Sequence, residues 1–336
     1  MSSILLILQK RIVSLAVLCC LLFVAETALA QITVYSGRNR ALVEPLVDRF
    51  QAETGITVRV RYGGTTQLAV AILEEGRRSP ADVFWSQDAG ALGALHNGDM
   101  LLALPDSLTQ ALPPQFRNSA GSWISTSARA RVLAYNTKQI SAEELPASVY
   151  DLTKPEWRGK VGWAPANASF QSFVTAMRAL DGEEKTRQWL EDMRRNGAIA
   201  YNNNNSILQA IEAGEVLVGL TNHYYIDRAL GSNTNYPIRF AFFDAGDSGN
   251  LINIAGMGIV APSRRVEQAT RFIHFMIQEE AQQFFRDSTF EYPVTTGLAP
   301  GYRLIEDVLE LAPEIDLDLL EDLDGTLRLL RQTGLL

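Results

Sequence analysis

One pattern occurs three times in succession near the start of the chain: a short apolar run, a polar loop, then a helical pattern. Residues 31–35 end at Ser36-Gly37-Arg38-Asn39-Arg40 and lead into Leu42, Pro45, Leu46 and Phe50. Residues 56–62 end at Gly63-Gly64-Thr65-Thr66 and lead into an amphipathic stretch over 67–75. The apolar run Val83-Phe84-Trp85 ends at Ser86-Gln87-Asp88 and leads into 89–96. Parallel strands need a crossover connection, and here each crossover is a helix, so consecutive β-loop-α units predict a mostly parallel sheet with helices on its faces. The three strand ends then gather on one edge, where such sheets bind ligands.

The rest of the chain repeats the grammar with interruptions. Residues 101–127, rich in Pro, Ser and Leu, read as irregular, and 130–135 as a strand crossing into a second domain. The stretch 157–163 leads through Pro165 to Asn167-Ala168-Ser169 and a helix over 170–180; Asn167 or Ser169 is a good N-cap, and the free amides of a helix start attract anions. A helix over 183–195, a short run at 198–201, four asparagines at 202–205 and a helix over 206–213 follow. Strands are expected at 216–220, 239–243 and 252–260, the last crossing back, then one long helix over 266–287. Acidic, leucine-rich helix-like sequence follows Leu304.

The first thirty residues read as an export signal. Lys10 and Arg11 precede the apolar run 12–25, and Ala28-Leu29-Ala30 forms a small-x-small cleavage site, so cleavage is expected after Ala30 and the product in the periplasm. Both cysteines, Cys19 and Cys20, lie in that leader. Without disulfides the mature chain must rely on its core, and the 336 residues less the leader suffice for two medium domains. The formal net charge is −8, and one unit more negative without Lys10, Arg11 and Glu26. That argues against nucleic acid or an anionic membrane as partner.

The strand expected at 216–220 runs into Thr221-Asn222-His223-Tyr224-Tyr225. Neighbouring residues on a strand face opposite ways, but at a strand-to-helix turn the alternation breaks and both rings can enter one cavity. A phenol has a pKa of about 10, so two phenolates side by side need a cation, and a hard, highly charged metal ion supplies it. A tyrosine pair in isolation is ordinary packing; the surroundings decide.

Here the chain resembles the periplasmic ferric-ion-binding proteins, the solute receptors of bacterial iron ABC importers. The likeness rests on Ile32-Thr33-Val34-Tyr35 with its polar loop, Glu74-Glu75-Gly76 followed by Ser79-Pro80-Ala81-Asp82-Val83-Phe84, Leu208-Gln209-Ala210-Ile211-Glu212 with Gly214-Glu215, Asn222 through Tyr225, and Glu291-Tyr292-Pro293. It implies an α/β, two-lobed periplasmic binding protein fold of type II, with a hinge of crossing strands and a ligand cleft between the lobes. One lobe would be 31–131 plus about 255–305, the other 132–254 plus about 306–336.

The resemblance also implies roles. Tyr224 and Tyr225 match paired tyrosine ligands of Fe(III). Asn39 stands where many members have a ligating histidine and Gln87 where they have a ligating glutamate, so two donors are missing and both residues become hydrogen-bonders. Asn167, Ala168 and Ser169 match the place of a companion anion, carbonate or phosphate, or of a third tyrosine that this chain lacks. Asn204 and Asn222 match anion-side positions, and Arg38 matches an arginine that one branch places beside the site. Two phenolates leave one positive charge on Fe(III), which an anion held by Arg38, Asn167 and the helix amides would cancel. Asp88 and His223 are further candidates beside the site; His96 and His274 are assigned no chemistry. The partners implied are an inner-membrane permease and its ATPase, with the receptor itself a monomer.

Two other readings stand beside this one. The same frame serves phosphonates, organic anions, thiamine-like cations and polyamines, with the tyrosines stacking on the ligand or hydrogen-bonding it. An exported enzyme is the third, but no His-Glu-x-x-His and no Gly-x-Ser-x-Gly occurs, and no enzyme activity is expected.

Overall fold

The computed structural model describes residues 31–295 and 305–336; the expected leader and its cleavage point lie outside them. The three β-loop-α units form as β1 (Gln31–Ser36), α1 (Arg40–Thr54), β2 (Thr57–Tyr62), α2 (Thr65–Glu75), β3 (Val83–Ser86) and α3 (Ala89–Asn97). β1 pairs in parallel with β2 on one side and β3 on the other. Asn39 and Asp88 cap the helices that follow their strands, accepting from the amides of Ala41 and Ala91, and Gly55 ends α1 in the left-handed region at φ 71°.

The long strand β4 (Ile124–Asn136) joins two halves of one nine-stranded sheet. Its first half, Ile124 to Ala130, runs antiparallel to β9 (Ile252–Ile259), which in turn pairs with β3. From Arg131 onward it pairs with β7 (Val218–Asn222) on one edge and β8 (Ile238–Ala241) on the other. β5 (Val161–Trp163) and β6 (Ile199–Ala200) complete the second half in parallel with β7. The helices of that half are α4 (Ala168–Asp181), α5 (Glu183–Arg195), α6 (Asn204–Ala213) and α7 (His223–Ser232). The fold is therefore a mixed α/β, two-lobed one whose halves share β4 and β9 as crossing strands.

Each half has its own aromatic core. In the first, Phe50 meets Phe272 and Phe275 edge-on at 5.0 and 5.5 Å, and Trp85 meets Phe272 at 6.1 Å. In the second, Trp163 and Phe173 each meet Phe170 and Trp189, which stack on each other, all within 6.5 Å. Each such ring pair adds about 0.5–1.5 kcal/mol beyond its area.

Two expectations need correction. The end of the supposedly irregular 101–127 stretch belongs to β4. Ser125, Thr126 and Ser127 hid the strand because they are polar, yet they are buried, and Thr126 donates to the Ala255 carbonyl at 3.2 Å. The helix expected over 266–287 is two helices, α8 (Val266–Met276) and α9 (Glu279–Ser288). The break carries no Gly or Pro; the fully buried Gln282 makes it tolerable by donating at 2.8 Å to the Met276 and Thr126 carbonyls.

The C-terminal segment touches both halves. A turn over Leu317–Glu321 lies on α3, so close that a Cβ on Gly90 would come within 2.6 Å of the Leu320 carbonyl. Asp318 accepts from Asn118 Nδ2 at 2.7 Å and from the amide and hydroxyl of Ser119 at 3.2 and 2.9 Å. The helix α10 (Leu323–Gln332) then packs on α4, where Thr326 and Thr175 share a 2.7 Å bond and Arg178 pairs with Asp322 at 2.8 Å.

Candidate functional site

β7 is buried along its whole length and passes without a loop into α7, so Tyr224 and Tyr225 fall in the first helical turn, not on a strand. Successive helical residues diverge by about 100°, yet the two rings stack, with centroids 4.3 Å apart and planes at 27°. Tyr224 is buried and Tyr225 half-buried. Burial pushes the Tyr224 phenol up, the Tyr225 phenol beside it adds to the push, and the Arg129 charge works against it. Unliganded, Tyr224 therefore stays protonated at neutral pH.

Within electrostatic reach of these phenols are two arginines that the sequence reading passed over. Arg129 and Arg131 stand two apart on β4, hence on one face of the strand, and are 2 % and 3 % exposed. Arg131 lies opposite Asn222 in the sheet register and donates to its Oδ1 at 3.2 Å; Asn222 Nδ2 in turn donates to Ser169 Oγ at 3.3 Å. Nε and Nη2 of both guanidiniums have no hydrogen-bond partner among the described residues. Burial pulls Arg129 down, against the charges of Tyr224 and Glu291, and pulls Arg131 down to about 9. Two buried cations with unserved donors are costly alone and comfortable only beside an anion. The alternation Ala128-Arg129-Ala130-Arg131-Val132 was the available signal, two charges on one face of an otherwise apolar strand.

Arg38 is already committed. It forms a two-pronged ion pair with Glu291, at 2.9 and 2.6 Å, both side chains wholly buried. Ser127 Oγ donates to the same carboxylate at 2.8 Å, and Gln87 Oε1 accepts from Arg38 at 3.4 Å. Burial alone would raise Glu291; the Arg38 charge and hydrogen bonds outweigh it and hold the carboxyl below the ordinary range.

The structure thus brings Arg38, Gln87, Glu291 and Ser127 into one bonded cluster and Arg131, Asn222 and Ser169 into another. Arg129 lies within electrostatic reach of Tyr224, Glu291, Arg38 and Asp88. Asn39 is exposed and Asn167 caps α4 by accepting from the Ser169 amide at 3.0 Å; each serves its own helix start. Ala168 is the first residue of α4, and Asn204, 1 % exposed, has neither amide atom paired among the described residues. Asp88 is buried and caps α3, its carboxyl pushed up by burial against the pull of Arg129.

His223 has both ring nitrogens engaged. Nδ1 accepts from the Ala130 amide at 3.1 Å, which fixes the proton on Nε2, 2.8 Å from the Phe290 carbonyl. Among the described residues no three His, Cys, Asp or Glu side chains gather closely enough to hold a metal. Phenol oxygen is the hard donor that this arrangement offers a cation.

The family model for "Bacterial extracellular solute-binding protein" matches residues 78–309. The Fe(3+)-binding periplasmic protein of Serratia marcescens is 35% identical over 301 residues, covering 88% of this chain and 89% of that protein. Iron-bound HitA from Pseudomonas aeruginosa superposes with a TM-score of 0.84 at 33% identity, over 90% of this chain and 99% of that one. Trichodesmium IdiA (FutA), solved with iron and citrate, gives 0.79 at 26%, over 91% and 100%.

Proposed function

Since the chain belongs to the bacterial extracellular solute-binding proteins, among the periplasmic ferric-ion-binding proteins, we propose that it captures Fe(III) through Tyr224 and Tyr225 together with an anion held by Arg129 and Arg131. The observation that carries this is the juxtaposition of a stacked phenol pair with two buried guanidiniums whose donors are unserved. Fe(III) adds three charges to those two cations and the phenolates remove two, leaving three to cancel. A carbonate or hydrogen phosphate removes two of them, and a tricarboxylate removes all three.

The chain's own residues then have distinct tasks. Asn222 fixes Arg131 and, through Ser169, the start of α4, whose free amides favour the same anion. Gln87 and Asn39 bring no charge to the first lobe, which makes its grip depend on the anion. Glu291 neutralises Arg38, so that the arginine shapes the floor of the site without adding repulsion. Entry requires the lobes, 31–131 with about 255–305 and 132–254 with about 306–336, to part about the crossing strands, because Tyr224, Arg129 and Arg131 are buried. Release hands the ion to an inner-membrane permease driven by its ATPase; export to the periplasm by cleavage after Ala30 puts the protein on that route.

The unserved guanidiniums favour one second reading, an organic anion or phosphonate receptor in which the tyrosines stack on the solute. Competition for ⁵⁵Fe(III) against free citrate separates the two. The wild type holds iron, Tyr224→Phe and Tyr225→Phe lose it, and Arg131→Gln holds it more weakly while losing its response to added carbonate or citrate. Iron retention by both tyrosine variants would reject the iron site and leave the anion receptor.

A further inference from the structure

We propose that His223 is a positioning residue for the phenol pair, pinning the first turn of α7 at once to the crossing strand and to the segment carrying Glu291. This rests on the ferric reading of the site. His223 is wholly buried and begins the helix that bears both tyrosines. Three contacts from two segments fix its ring. The Ala130 amide on β4 donates to Nδ1 at 3.1 Å, at the point where β4 passes from β9 to β7. The Phe290 carbonyl accepts from Nε2 at 2.8 Å. The Tyr292 ring stacks on the imidazole, with centroids 4.4 Å apart and planes at 29°. The imidazole also meets the Tyr224 ring edge-on at 5.9 Å.

Phe290 holds its carbonyl there from a left-handed backbone, φ 60°, which a non-glycine residue adopts only when its surroundings impose it. Its neighbour Glu291 grips Arg38 in the loop after β1. A continuous path therefore leads from the Arg38 loop through Glu291, Phe290 and His223 to Tyr224. Along it, the position of the first-lobe loop is felt at the phenols. A core histidine would need partners but not this set, which spans a crossing strand, a strained carbonyl and the ring of Tyr224. Groups that orient a metal's ligands through a second contact typically change metal affinity about ten- to hundredfold when removed.

The test compares full-length mature protein with His223→Leu, which abolishes both hydrogen bonds, and His223→Gln, which keeps a donor within reach of the Phe290 carbonyl. Two readouts are taken. In metal-free crystals, the stack of Tyr224 on Tyr225 opens in H223L and is kept or partly kept in H223Q. In Fe(III)-loaded protein, the visible charge-transfer band of H223L shifts and iron passes to a chelator about tenfold or more faster, with H223Q between it and the wild type. A stack, band and release rate unchanged in a folded H223L overturn the proposal, and so do a band and release rate in H223Q equal to those of the wild type. If wild type shows no band at all, the ferric reading fails, and the metal-free crystals still decide whether His223 sets the ring geometry.

Discussion

At the residue scale, the site is defined by which charges are partnered. Glu291 is the only anion bonded to Arg38 among the described side chains, so Glu291→Gln strands a buried guanidinium and should cost about 3–5 kcal/mol, read as a drop in the midpoint of chemical denaturation. The same pair sets an acid dependence. The folded Glu291 pKa lies below its unfolded value of about 4.3, so the stabilisation is full above that value and is lost as pH falls through the folded pKa. Denaturation midpoints of wild type and Glu291→Gln should therefore draw together progressively as pH falls below about 4.3. Iron binding has its own proton link. Burial keeps the Tyr224 phenol protonated beforehand, so Fe(III) binding as phenolate expels at least that proton, and affinity should fall by on the order of tenfold or more per pH unit on acidification, measurable by chelator competition between pH 8 and 6. The tyrosine pair drew notice because both phenols follow directly on a buried strand, where the turn into a helix can bring them to one side. Asn39, Asp88 and Asn167 were conspicuous for a different reason, since each satisfies the amides of its own helix. Arg129 and Arg131 escaped because an apolar run with alternating charge reads as an ordinary half-exposed strand, and only the fold buries both faces.

At the scale of elements, the parallel units were readable because each helix carries an apolar stripe and two of the three strand ends, at Asn39 and Asp88, carry a side-chain cap; the helix after β2 starts at Gly64 with none. The helix expected at 183–195 is Glu183–Arg195 in the structure: two glutamates open it, two arginines close it and Gly182 precedes it, so local charge and tertiary packing agree. The break between α8 and α9 was not readable, because what makes it tolerable is a side chain six residues downstream that reaches back to serve a carbonyl. Gln282→Leu leaves the carbonyls of Met276 and Thr126 unserved and removes the acceptor of the Val294 amide. A loss of about 2–3 kcal/mol is expected, seen as a lower thermal midpoint. β4 hid its first third in the same way, through polar residues whose partners come from distant segments.

At the scale of the whole molecule, the halves are joined by β4, by β9 and by the C-terminal segment that binds α3 and α4. Those two helices begin at Asp88 and Asn167, next to the site, so whatever sets their separation sets the cleft. Asp318→Ala removes three hydrogen bonds to the Asn118–Ser119 turn and should destabilise the chain by about 1–3 kcal/mol, while leaving the phenol stack intact. Two cavities flank this segment, of about 510 and 600 Å³, and share Gln115, Asp316 and Leu317 in their linings. The crossing strands were anticipated; the third tie was not, because an acidic leucine-rich tail has no periodicity that names its partner. The central claim, that paired phenolates hold the cargo, is tested most directly by resonance Raman spectroscopy of the mature protein titrated with Fe(III) and citrate, excited in the visible. Tyrosinate ring modes enhanced in the wild type, weakened in each of Tyr224→Phe and Tyr225→Phe and absent from the double variant, are the expected result. A folded wild type that gives no tyrosinate enhancement, or a double variant that keeps it, would contradict the account.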